Sequence, residues 1–108
     1  MVPMAQGDGV DAMAERDVAR VRRIVLDGLR GVRARVYLFG SRATGTARRT
    51  SDIDVAVMPQ VPLPRGVLSA IREALDESDV LLPVDLVDLT GADERLVRRV
   101  LDEGVPWS

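Results

Sequence analysis

Residues 52–58 read Asp-Ile-Asp-Val-Ala-Val-Met, and this alternation constrains the fold more than any other stretch of the chain. Side chains along a strand alternate between faces, so Ile53, Val55 and Val57 share one side while Asp52, Asp54 and Ala56 share the other. The apolar side must be buried under a hydrophobic layer. The carboxylate side must stay open to solvent, to a cation or to both.

The flanking sequence supplies that layer. Over residues 11–30, Val18, Val21, Val25 and Leu29 recur three or four apart, which predicts an amphipathic helix stopped near Gly31. Residues 1–10 carry glycine and no period, so they are expected to form a flexible N-terminus ahead of a single domain over 11–108. A strand is predicted at 35–39, with Val36 and Leu38 running into Gly40, and a short helix at 41–47. A proline-punctuated loop over 59–64 leads to a second long helix at 65–77 through Val67, Leu68, Ile71 and Leu75. A third strand follows at 84–89. Thr90 to Asp93 reads as a capping box for a last helix through Leu96, Val97, Val100 and Leu101, and Val105-Pro106-Trp107-Ser108 as a short edge strand. Strands alternating with helices give an α/β (α+β) fold, a small mixed β-sheet with helices packed on one face.

At 108 residues the chain builds one core and one shallow site. It contains no cysteine and no histidine, which excludes disulfides, thiolate or imidazole zinc sites and serine–histidine triads. A metal would be held by oxygen alone, which favours magnesium or manganese over zinc. The net charge of −2 and the three aromatic residues argue against direct nucleic-acid binding. No apolar run approaches the ~18 residues of a membrane span, and the first residues lack a secretory pattern. The cytoplasm is the expected location.

Gly40, Gly45 and Thr46 have the spacing of a phosphate-binding GxxxxGK[ST] loop, but all 15 basic residues are arginine and the required lysine does not exist in the chain. The turn is then either an ordinary strand-to-helix connection or, beside the carboxylates, a simpler phosphate site. A strand turning at Gly40 into a helix at Ser41 points free backbone N–H groups outward, with the Ser41 hydroxyl and the Arg42 guanidinium beside them.

Asp52 and Asp54, about 6.6–7 Å apart along one strand face, repel by ~2 kcal/mol at an effective dielectric of 20. A divalent ion between them removes that cost, and two ions can bridge nucleotide phosphates. A third ligand is expected from a paired strand. Asp85 is the better candidate, because Asp88 shares its parity with Val84 and Leu86, which read as core-facing.

Gly40-Ser41-Arg42-Ala43-Thr44-Gly45 followed by Ser51-Asp52-Ile53-Asp54 resembles the minimal nucleotidyltransferases of the DNA polymerase beta superfamily, over an element order covering roughly Val18 to Trp107. The resemblance implies a polymerase-beta-like fold in which Asp52, Asp54 and Asp85 hold two Mg2+ ions and form the catalytic set. Gly40 and Ser41 would bind the triphosphate of ATP, with Arg42 and Ser51 lining or supporting the nucleotide pocket. It also implies a HEPN-domain partner protein in a toxin–antitoxin pair, the chain being the antitoxin that transfers AMP to a hydroxyl of the toxin in a hetero-oligomer. Threonine stands at position 44, where many relatives carry a basic residue, and Arg48 and Arg49 are available to compensate. The helical substrate-binding domain of larger members is missing before residue 108, so a second chain is expected to complete the site. Two other functions are compatible with the sequence: a non-catalytic antitoxin with a vestigial nucleotide pocket and Trp107 at its interface, and a nucleotidyltransferase acting on a small molecule or an RNA end.

Overall fold

The computed structural model describes residues 2–108, with side chains from residue 12 onward. In chain order the elements are α1 (Val2–Gly28), β1 (Ala34–Phe39), α2 (Ser41–Thr44), β2 (Ile53–Pro59), α3 (Val67–Glu77), β3 (Val84–Asp88), α4 (Glu94–Glu103) and β4 (Val105–Pro106). The four strands form one mixed sheet in the order β3-β2-β1-β4. β1 pairs antiparallel with both β2 and β4, and β2 pairs parallel with β3. A parallel pair needs a crossover, and α3 provides it.

The expected apolar face is the main core. Ile53, Val55 and Val57 are fully buried beneath Val21 and Val25 of α1 and Ile71 and Leu75 of α3, together with Val36, Leu38 and Leu86 of the neighbouring strands. Burying side chains of this size contributes about 1.5–3 kcal/mol each relative to leaving them exposed.

Asp17 is the buried charge in this layer. Its Oδ2 accepts hydrogen bonds from the backbone N–H groups of Leu81 and Leu82, both at 2.9 Å, which fastens α1 to the segment entering β3.

The mixed sheet matches expectation, but the layering needs a correction. α1 and α3 cover one face, whereas α4 lies on the other, where Leu96, Val97 and Val100 pack against Tyr37, Phe39 and Ala56. The physical reason is that β1 is apolar on both sides. Tyr37 and Phe39 needed a cover of their own.

Three local expectations also change. The first helix begins at Val2 instead of residue 11; Pro3 is tolerated in a first turn, and Met4, Ala5 and Gln6 are good helix formers. The cap of α4 is Asp93, whose carboxylate accepts from the Arg95 N–H, and not Thr90. Gly91 has φ +71°, a left-handed conformation that keeps Thr90 in the preceding turn. Trp107 is buried in the main core and donates its backbone N–H to Val36 O at 2.8 Å, so it is a packing residue and not an interface anchor. Among the described residues no helix is long and apolar enough to cross a membrane.

Candidate active site

β1 ends at Phe39 directly opposite Asp54 of β2, and Asp54 lies directly opposite Asp85 of β3. Directly paired residues share a face, so the register brings the two carboxylates side by side at a strand spacing of about 4.8 Å. Both stand on the face opposite the main core. Asp52 precedes β2 and is exposed, on the same parity as Asp54.

The Asp54 carboxyl is held above its ordinary value of 3.8, first by burial, then by the negative charge of Asp85, then by that of Asp52. The cross-strand neighbour therefore weighs more than the sequence neighbour. No arginine relieves the repulsion, because the two ion pairs among the described residues, Arg20–Asp79 and Arg30–Asp27, lie elsewhere.

Such a donor set suits a hard cation. All the candidate ligands are carboxylate oxygens, and their mutual repulsion falls when a divalent ion binds between them. Among the described residues, however, no three acidic side chains are gathered closely enough to form a finished ligand cluster. The carboxylates fit the ion in chemistry and order, and they would have to converge on it.

Gly40 links this cluster to the turn that follows β1. It caps α2 at φ 77° and ψ −157°, a conformation that suits glycine alone. A Cβ at this position would overlap the Asp54 Oδ2 atom. Glycine thus lets the carboxylate touch the backbone at the start of α2.

The predicted helix at 41–47 is cut to one turn, because Gly45 adopts φ 81° and its N–H returns to Ser41 O. A single turn adds little dipole, so any anion binding here rests on individual N–H groups and the half-buried Ser41.

Arg42 is placed differently from a residue free to meet phosphate. Its Nε donates to Ser51 O at 3.1 Å and its terminal nitrogen to Ser51 O at 2.8 Å, Arg48 O at 3.3 Å and Arg49 O at 3.4 Å. Ser51 Oγ in turn accepts from the Arg48 N–H at 2.7 Å. Arg42 and Ser51 together shape the loop that delivers Asp52, while the side chains of Arg48 and Arg49 stay exposed.

Asp88 is separate from the cluster, opposite Val57, and its Oδ1 accepts from the Thr90 N–H at 2.8 Å. That is the strand-end role its parity suggests. On the other side of Asp85, a cleft of about 420 Å³ opens past the free edge of β3, bordered by Arg72, Asp76 and Pro83.

The contact between Gly40 and Asp54, the carbonyl contacts of Arg42 and the Asp17 anchor were not anticipated from the sequence. The glycine and arginine stood in a recognisable motif, but their contacts depend on the path of the intervening loop. Asp17 gave a weak signal, as one acidic residue on the apolar stripe of α1.

The family profile described as polymerase beta, nucleotidyltransferase matches residues 32–106. Over 68 residues the chain is 37% identical to the Haemophilus influenzae protein named probable protein adenylyltransferase MntA, a match covering 60% of each. The match therefore spans less than two thirds of that relative. Among solved structures, a chain of a toxin–antitoxin crystal structure with AMP-PNP is 32% identical at a TM-score of 0.58, with 81% of this chain and 72% of that one covered. A chain from a complex of a tri-AMPylated Shewanella oneidensis HEPN toxin with its MNT antitoxin is 26% identical at a TM-score of 0.55, with coverage of 87% and 71%. Because the profile runs from the approach to β1 through β4, taking in the whole glycine turn and all three carboxylates, the chain belongs to the polymerase beta nucleotidyltransferase family.

Proposed function

We propose that this chain is a Mg2+-dependent protein adenylyltransferase that moves AMP from ATP to a hydroxyl of a HEPN-domain toxin and so acts as its antitoxin. The observation that carries the proposal is the unpaired, mutually repelling carboxylate set beside Gly40 and Ser41. The likeness to chains from a complex with AMP-PNP and from one with an AMPylated HEPN toxin supports the donor, the transferred group and the partner.

In this reading Asp52 and Asp54 would hold two Mg2+ ions, and Asp85 would complete one ion's site. The bound ions supply charge neutralisation at the phosphates. Gly40 and Ser41 offer backbone N–H and hydroxyl groups to the triphosphate. Asp85, exposed on the edge strand, takes the proton from the acceptor hydroxyl as its oxygen attacks the α-phosphorus, and pyrophosphate leaves. A partner approaching over the free edge of β3 reaches Asp85 without crossing the sheet. Dependence on ATP places the reaction in the cytoplasm.

The deciding experiment incubates the protein with α-labelled ATP, Mg2+ and its HEPN partner. Label is expected on the partner with the wild-type chain and not with Asp52→Asn/Asp54→Asn. Undiminished labelling by the double variant would remove the carboxylates from the chemistry. Full neutralisation of the toxin by that variant would point instead to inhibition by binding alone, a reading that lost one support when Trp107 proved to be buried.

A further inference from the structure

The three carboxylates are not held in place by the same means. Asp54 and Asp85 sit inside paired strands, where the register fixes them. Asp52 lies ahead of β2, at the end of a loop with no ladder of its own. Its position is set on one side by Ile53, whose N–H donates to Pro83 O at 2.9 Å, and on the other by whatever fixes residues 48–51.

Those residues form a closed turn: Ser51 N–H donates to Arg48 O at 3.0 Å, and Arg48 N–H donates to Ser51 Oγ at 2.7 Å. One side chain then fastens the turn to the rest of the site. Arg42 reaches from α2 and places its guanidinium among the carbonyls of Arg48, Arg49 and Ser51. A planar fork of donors can hold three carbonyls at once, whereas a lysine ammonium on a flexible stem lacks that fixed geometry. To reach a phosphate, Arg42 would have to abandon these bonds and release the loop.

We infer that Arg42 is a positioning residue for Asp52, a brace between the glycine turn and the loop carrying the first carboxylate, and not itself a phosphate ligand. Its catalytic consequence rests on the nucleotidyltransferase reading above, but the brace can be tested without it. The positive charge of Arg42 is spent inside the protein. The exposed Arg48 and Arg49 are left as the cations nearest in sequence to Asp52.

The test compares wild type with Arg42→Lys, which keeps the charge and loses the fork, and with Ser51→Ala, which loosens the same turn without touching Arg42. Trypsin cleavage after Arg48 and Arg49, followed by mass spectrometry, reads loop opening directly; Arg42→Lys is expected to quicken it about tenfold and Ser51→Ala about threefold. Mn2+ binding without nucleotide, read by electron paramagnetic resonance, should weaken about fivefold in Arg42→Lys. In AMP transfer, kcat should fall while KM for ATP stays within about twofold, the pattern of a displaced catalytic group and not of a lost ligand.

Unchanged cleavage and Mn2+ binding, with KM for ATP raised about tenfold or more, would overturn the inference and make Arg42 a phosphate ligand. If Arg42→Lys fails to fold, Arg42→Gln, which keeps one amide donor and loses the fork, decides by the same readouts: faster cleavage with weaker Mn2+ binding supports the brace, and no change in either overturns it. Faster cleavage and weaker Mn2+ binding in a protein that transfers no AMP would support the brace while refuting the proposed activity.

Discussion

One face of the sheet serves two ends. Toward the C-terminal half of β2, Ala56 is completely buried beside Tyr37 under Val100 of α4, in a packed apolar cluster. One residue pair further along the same face, Asp54 is only half-buried, Asp85 is exposed, and the two repel each other. The covered half stabilises the sheet and the bare half strains it electrostatically, and the boundary falls where α4 passes over β1 on its way to β4. Leaving part of a face unpacked thus keeps carboxylates within reach of a charged ligand.

Gly40→Ala tests that contrast most severely, because a methyl group there meets the Asp54 carboxylate and imposes a left-handed conformation on alanine. AMP transfer is expected to fall about 100-fold or more, the scale of a 1 Å misplacement of a reacting group. The fold should lose only about 1–2 kcal/mol. Transfer kinetics and urea unfolding together check this, and a variant with wild-type activity would show that Asp54 does not need the glycine.

Val100→Ala probes the covered half. Val100 is fully buried, so the cavity should cost about 2 kcal/mol of stability. Effects on the metal and nucleotide should be slight, since Val100 packs on Tyr37 and Ala56 and reaches the carboxylates only through Phe39, the cluster member opposite Asp54. A loss of Mn2+ affinity as large as the loss of stability would mean that the two halves are coupled.

The contrast between the halves was only partly legible in the sequence. The alternation over 52–58 gave both faces of β2, and the parity of Asp85 against Val84 and Leu86 put it on the carboxylate side, as the register bears out. Those signals are local, and a strand's period carries them. The position of α4 was not legible, because an amphipathic helix does not announce which side of a sheet it will cover. Tyr37 and Phe39, apolar on the second side of β1, were the available hint. The contacts of Arg42 were hidden for a different reason: they join residues up to nine apart through a loop whose path no periodic pattern describes.

The smallest expected effect concerns Asp54 itself. Burial and the charges of Asp85 and Asp52 raise its pKa above 3.8, so the folded state holds the proton more tightly than the unfolded chain does. Stability from this group is then greatest below 3.8 and declines as pH rises through the elevated folded value, the reverse of a salt-bridged aspartate. Asp54→Asn removes the ionisation, and at neutral pH the variant should be more stable than wild type by about 1 kcal/mol, well below the ~3.5 kcal/mol of two bare charges about 4.8 Å apart at an effective dielectric of 20, because the open side is screened by water and salt. The gain should vanish as pH falls below 3.8. Millimolar Mg2+ should raise the wild-type melting temperature and narrow the gap to the variant, since an ion among the carboxylates offsets the same repulsion. A gap that persists unchanged at low pH would trace the stabilisation to packing instead of charge. The carboxylates would then owe their open face to something other than an ion.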